Sequence, residues 1–162
     1  EFTLDYEKRI SLYNSYGLKN WSEDKKEIYL KECTDNYPEK PFAWLKLLEN
    51  VIINEEFDKF KLIEIKLKET NLDDYRINVY LALGYFIFNE PFKSLKIILE
   101  IIELVENDEI PLKIALIIFL KSGKSQEALK LYKRKNKHSK IGPIQTLLDI
   151  EPKLLLPLYY DY

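Results

Sequence analysis

Short turn-forming segments recur at a nearly constant interval along this chain, and that interval constrains the fold more than any other feature. The turns of one series lie at residues 54–56, 89–91 and 121–124, and those of a second series lie at residues 37–41, 71–74, 107–111 and 137–143. Each series has a period of about 34 residues. A period of this size is typical of stacked supersecondary units, which bury their apolar faces against their neighbours.

The segments between the turns have the apolar spacing of α-helices. Residues 42–53 carry a wide apolar stripe at about 3.6 residues per turn, and no segment shows sustained alternation of the kind that predicts a strand. Helices are also predicted over residues 58–70, 75–88, 92–105, 112–120 and 125–134. Pro91 and Pro111 suit helix starts, and Ser125 suits an N-cap. The pattern predicts an all-α solenoid of about four helix pairs.

Three sets of residues follow one repeating pattern. The sets are Trp44, Leu47, Leu48, Val51, Phe57, Phe60 and Leu67, then Tyr80, Leu83, Gly84 and Ile87, and then Phe119, Gly123, Ala128 and Tyr132. This pattern resembles degenerate copies of the tetratricopeptide repeat, which has a Trp, a Leu-Gly pair and a Tyr on its first helix. In this register Trp44, Leu48, Leu83 and Leu99 are expected to be largely buried.

The resemblance also suggests how the chain is divided. It implies a tetratricopeptide-like domain over residues 1–142, followed by a capping helix and an apolar tail over residues 143–162. The implied repeats span residues 7–40, 41–76, 77–108 and 109–142.

The tail is the most apolar stretch outside the helix pairs. Pro152 and Pro157 bracket it, which favours an extended or single-turn conformation over a long helix. Such a stretch must pack somewhere, because left in water it would promote aggregation. We expect it to cover the open end of the last repeat, since terminal repeats need capping. The groove of the solenoid and a second chain are the alternatives.

Composition excludes several classes of protein. The net charge of −2 argues against a dedicated nucleic-acid-binding protein. The longest apolar run, residues 114–120, is far shorter than the roughly 20 residues of a transmembrane segment. The chain begins at Glu1 and contains no Met, so we expect part of a larger protein or complex. We expect a soluble domain with no visible targeting signal, whose compartment the sequence leaves unknown.

Catalytic chemistry has few candidate residues. The chain has one His and one Cys, which leaves little for a metal site or a nucleophile–base pair. His138 lies among lysines and is expected to be solvated, whereas Cys33 has the spacing of a buried apolar residue. Residues 122–125 lack the strand and first glycine of a phosphate loop, so we interpret them as a turn. We therefore predict no enzyme, catalytic residue, cofactor, metal site or small-molecule substrate.

The resemblance implies that the first helix of each pair lines an inner groove. The predicted groove residues are Leu45, Glu49, Ile52, Asn78, Leu81, Tyr85, Phe88, Lys113, Ile117 and Lys121. Most of these side chains are apolar or aromatic, which suits an amphipathic helix or an extended segment of another protein. The first prediction of function is thus a non-catalytic protein–protein interaction module or scaffold.

A basic cluster supports a second hypothesis. Residues 121–140 contain eight basic residues and one acid, Glu127. The exposed cations of the predicted patch are Lys130, Lys133, Arg134, Lys135, Lys137 and Lys140. Cations are stabilised at the C-terminus of a helix by its dipole, which explains the cluster without any partner. The alternative function is an electrostatic adaptor for anionic lipid or nucleic acid.

Overall fold

A computed structural model of the chain describes residues 2–136 and 141–159, with side chains from Asp5 onward. These residues form α-helices and turns, with no strand among them, which confirms the predicted all-α class. The α-helices are α1 (Phe2–Leu12), α2 (Leu18–Asn20), α3 (Glu23–Asn36), α4 (Pro41–Ile53), α5 (Phe57–Lys68), α6 (Tyr75–Ile87), α7 (Pro91–Leu104), α8 (Glu109–Lys121) and α9 (Ser125–Lys135).

Helical turns of other types lie near both ends of the described chain. A π-helical turn, Tyr13–Gly17, joins α1 to α2 without a break. Beyond α9, 3-10 helices cover Ile144–Asp149 and Pro152–Leu155. The second of these is the single-turn conformation predicted between Pro152 and Pro157. In the range of the predicted capping helix, the structure has the six-residue 3-10 helix Ile144–Asp149.

The helix starts confirm one prediction and correct two. Pro91 is the first residue of α7, where its missing N–H costs nothing. Pro111 is instead the third residue of α8, because Asp108 caps that helix by accepting a hydrogen bond from the Ile110 N–H at 2.9 Å. Ser125 is the first residue of α9 and not its N-cap, since the N-cap position belongs to Lys124.

Residue contacts group the chain into two compact units, one up to Ile77 and one from Asn78 onward. The first unit is built around α4, on which α3 and α5 pack. Tyr13 of the π-helical turn meets Phe42 edge-on, with 6.3 Å between ring centroids. Because α4 has neighbours on several sides, ten of its residues are buried.

The second unit is built around α8. Helices α7 and α9 and the 3-10 helix Ile144–Asp149 all pack on it. The buried hydroxyl of Ser94 on α7 donates a hydrogen bond to the carbonyl oxygen of Ala82, which ties α7 to α6. The position of α8 between these elements explains why its middle turns, residues 114–118, are completely apolar and buried.

The burial predictions are confirmed for most of the tested residues. Trp44, Leu48 and Leu83 have at most 3% of their surface exposed, whereas Leu99 is only half-buried. Cys33 is buried, and that burial raises the pKa of its thiol, as expected for a small apolar residue. His138 lies outside the described residues. No helix in the described ranges has the length and hydropathy needed to cross a bilayer.

Candidate protein-interaction surface

The predicted groove residues of the first unit lie inside the helix packing. Leu45 and Ile52 have no exposed surface, and Glu49 is 8% exposed. Glu49 accepts from the Lys46 ammonium at 3.5 Å, so the carboxylate has an ion-pair partner on its own helix. A groove role for these three residues stays a prediction, and it would require a neighbouring element to move.

The predicted groove residues of the second unit divide into two groups. Asn78 and Lys121 are exposed, and Phe88 and Lys113 are half-buried. Leu81, Tyr85 and Ile117 are instead buried. A groove role for the second group stays a prediction that would require a neighbouring element to move, whereas the first group retains accessible side chains on α6 and α8.

The chain after α9 returns along α8. The 3-10 helix Ile144–Asp149 packs on α8, with Ile144 and Leu147 buried. The Lys121 ammonium donates a hydrogen bond to the carbonyl oxygen of Leu148 at 3.0 Å. The side chain of a predicted groove residue is therefore engaged by the chain's own C-terminal segment, at the end of α8.

The last described residues reach the opposite end of α8. The Leu158 N–H donates a hydrogen bond to the Tyr80 hydroxyl oxygen of α6 at 3.1 Å. The Tyr159 hydroxyl donates to Oδ2 of Asp108 at 2.5 Å. The rings of Tyr80 and Tyr159 lie 6.4 Å apart, and the Leu158 side chain is buried. Leu158 is thus held through its backbone N–H and its buried side chain, and Tyr159 is held through its phenol.

These contacts correct the expected position of the tail. Its 3-10 helix Ile144–Asp149 packs on the last helix pair, but Leu158 contacts α6, which belongs to the preceding pair. The open end of the last repeat is therefore not where Leu158 and Tyr159 are bound. The physical reason is that Tyr80 accepts from the Leu158 backbone N–H and Asp108 accepts from the Tyr159 phenol, so both donors of the tail find partners there.

The basic cluster is partly neutralised where the structure describes it. Arg134 and Lys135 both pair with Glu103 of α7, at 2.7 and 3.1 Å. Hydrogen bonds from Arg134, and then from Lys135, lower the pKa of the Glu103 carboxyl. Lys130 and Lys133 are exposed, and Lys137 and Lys140 lie outside the described residues. These ion pairs reduce the positive charge that the patch presents to an anionic partner.

A cleft of about 670 Å³ lies beside the π-helical turn in the first unit. Tyr6, Asn14, Lys40 and Phe42 are among its lining residues. Burial raises the pKa of the Tyr6 phenol. Within the described part of the chain, no group of three or more His, Cys, Asp and Glu side chains is placed to hold a metal ion.

Sequence reasoning missed the pair Tyr80 and Asp108 as a binding feature. Tyr80 has no exposed surface and occupies the Trp position of the repeat pattern, so the pattern indicated a core residue. Asp108 precedes a helix, where a carboxylate is already explained by capping. The one signal in the sequence was the apolar Leu-Tyr end of the tail, because such side chains must be buried against another surface.

The fold has a known counterpart. A solved structure of MamA AMB-1, a tetratricopeptide-repeat protein, aligns with this chain at a TM-score of 0.60 and 13% sequence identity, covering 93% of this chain and 80% of that chain. The similarity shows that the chain has a tetratricopeptide-type helical-repeat fold. No protein-family model matches the sequence, and no curated protein is similar to it.

Proposed function

We propose that the chain is a non-catalytic protein–protein interaction module that binds a segment of another protein along the groove side of its first helices. The tetratricopeptide-type fold is the observation that carries this proposal, since such folds are generally interaction modules without catalytic activity. Repeat solenoids bind partners because stacked helix pairs present an extended surface that a partner segment can follow.

In the second unit, the proposed contact surface consists of Asn78, Phe88, Lys113 and Lys121. These side chains retain exposed surface, and they combine an aromatic ring with polar and cationic groups. Apolar and aromatic contact with polar groups at the edge is the usual composition of an interface. The partner is a helix or an extended segment of another protein, and the chain serves as one part of a larger assembly.

A photo-crosslinking experiment tests this placement. A photoreactive amino acid is introduced singly at Asn78 or Lys113 on the first helices, and at Lys96 on α7 as a matched exposed control. A further variant carries it at Lys130 in the basic cluster. Each variant is irradiated in a native lysate of the source cells, and its crosslinked products are identified.

The proposal predicts one common protein adduct from positions 78 and 113, and none from position 96. An adduct obtained equally from all positions would contradict a groove interface. Crosslinking confined to Lys130, with nucleic acid or lipid in the product, would support the electrostatic adaptor in place of the groove.

A further inference from the structure

The contacts of Leu158 and Tyr159 resemble those of a bound peptide more than those of a packed loop. One hydrogen bond uses a group that nearly every extended segment carries, the backbone N–H that donates to Tyr80, and the other uses the phenol of a tyrosine, which donates to Asp108. The apolar side chain between them is buried. Backbone bonds supply affinity and side-chain pockets supply specificity when an extended peptide is recognised.

We propose that Tyr80 and Asp108 form a recognition site for an extended segment in which an aliphatic residue is followed by tyrosine. The chain's own Leu158 and Tyr159 are its resident occupant, and a partner protein that bears such a segment displaces them. The inference rests on the proposed function and deepens it, because it names the chemistry of the partner segment.

The resident segment has features of a displaceable ligand. Between the buried residues Pro152 and Leu158, Leu154 is 81% exposed and residues 155–157 are half-buried, so fewer buried contacts hold this stretch than hold the core helices. Segments with few buried contacts open locally at low free energy. A tethered segment competes at an effective concentration on the order of millimolar, which a partner with further groove contacts can exceed.

The carboxylate of Asp108 sets the specificity of the site. Its Oδ1 accepts the capping N–H of Ile110 at 2.9 Å, while Oδ2 accepts the phenol. Phenylalanine in place of the incoming tyrosine would leave Oδ2 without that donor. Phosphotyrosine would place about two negative charges against a carboxylate, so phosphorylation is expected to abolish binding.

The test uses the full chain and a labelled peptide of residues 152–159. Leu158→Asp releases the resident segment, because a charge cannot occupy the buried position. Leu154→Asp is the matched control, since that side chain is already exposed. Fluorescence anisotropy measures binding of the peptide to each variant. Saturable binding to Leu158→Asp is expected, with at least about 10-fold weaker binding to the wild type and to Leu154→Asp.

Further variants check the chemistry of recognition. The peptide with Phe at position 159 is expected to bind about 10-fold more weakly, and the phosphotyrosine peptide not at all. Asp108→Asn, added to Leu158→Asp, keeps the helix cap but removes the charge, and should weaken peptide binding similarly. Equal binding of the peptide to wild type and Leu158→Asp, or equal binding of the Tyr, Phe and phosphotyrosine peptides, would overturn the inference.

A second measurement covers the case in which Leu158→Asp does not fold. The unlabelled peptide is added in excess to isotope-labelled wild-type chain, and the amide signal of Leu158 is followed by NMR. The signal should move to the position of a free amide as the peptide replaces it, and an unchanged signal would overturn the inference. Failure of this test with intact crosslinking at positions 78 and 113 would remove the inference and leave the proposed function standing.

Discussion

At the scale of single residues, Gly17 has the sharpest steric requirement. A Cβ at this position would lie 2.5 Å from Cε3 of Trp21. The indole cannot easily move away, because its ring lies 4.7 Å from that of Tyr29 and 6.4 Å from that of Tyr13. The π-helical turn therefore depends on glycine for close packing and not for a left-handed backbone.

Gly17→Ala is expected to destabilise the chain by about 1–3 kcal/mol, since overpacking outweighs the better helix propensity of alanine. Urea denaturation followed by circular dichroism gives the free energy of unfolding. Gly142→Ala is the control, because no atom lies within 4 Å of its added Cβ. A Gly17→Ala chain as stable as the Gly142→Ala control would show that Trp21 has room to shift.

The Glu103 ion pairs give a prediction about pH. Arg134 first, and then Lys135, hold the pKa of Glu103 below its ordinary value of 4.5. A lowered carboxyl pKa stabilises the folded chain at pH values above the ordinary pKa, and this stabilisation is lost as pH falls through the lowered value. Arg134 and Glu103 are each about half exposed, so the effect of their pair on stability is small.

Arg134→Gln is expected to raise the pKa of Glu103 toward its ordinary value, because the larger of the two lowering influences is removed. The pKa of Glu103 is measured on the isotope-labelled chain by following its side-chain carboxyl carbon by NMR between pH 2 and pH 7. Lys130→Gln serves as the control with the same change of charge on the same helix. An equal shift in both variants would mean that net charge, and not the pair, lowers the pKa.

Residue-scale prediction from sequence was accurate where apolar spacing decided the outcome. Trp44, Leu48 and Cys33 are buried as their spacing indicated. It was wrong at Pro111 and Ser125, because apolar spacing does not fix the end of a helix to within one or two residues. Asp108 and Lys124 took positions that the sequence assigned to residues farther along.

At the scale of secondary structure, α6 and α7 offer a test of the repeat register. Leu83 on α6 is 1% exposed, whereas Leu99 on α7 is only half-buried. Leu83→Ala is expected to cost about 2–5 kcal/mol, since the truncation leaves a cavity in closely packed surroundings. Leu99→Ala should cost clearly less. Thermal and urea unfolding of both variants measure the difference, and equal costs would contradict the observed packing of α6.

Helices α4 to α9 were predictable because apolar residues recur in their segments at helical spacing, as α4 illustrates. The π-helical turn was not predictable, and no periodicity encodes the close packing of Gly17 against Trp21 within it. The destination of the tail was also missed. Apolar composition showed that Leu158 must be buried, but not that its backbone would bond to Tyr80, 78 residues away.

At the scale of the whole molecule, the chain shares a fold with MamA AMB-1 at only 13% identity. Helical repeats are stabilised by the periodic placement of apolar residues, which many sequences satisfy. The fold was therefore predictable from spacing, whereas the partner was not, because under the proposed function its recognition depends on a few side chains, such as the exposed Asn78 and the half-buried Lys113.

Binding of a protein partner to the groove side of the first helices is the main feature of the proposed function. The most direct measurement is the affinity of the crosslinked partner, once purified, for three chains at 50 and 200 mM salt. The three chains are the wild type and two triple variants. The groove variant carries Asn78→Ala, Phe88→Ala and Lys113→Ala, and the basic-cluster variant carries Lys133→Glu, Arg134→Glu and Lys135→Glu.

We predict that the groove variant binds the partner at least about 10-fold more weakly than the wild type. The basic-cluster variant should bind with wild-type affinity, and the affinity should depend little on salt. Wild-type affinity in the groove variant, with loss in the basic-cluster variant and a steep fall with salt, would contradict the account.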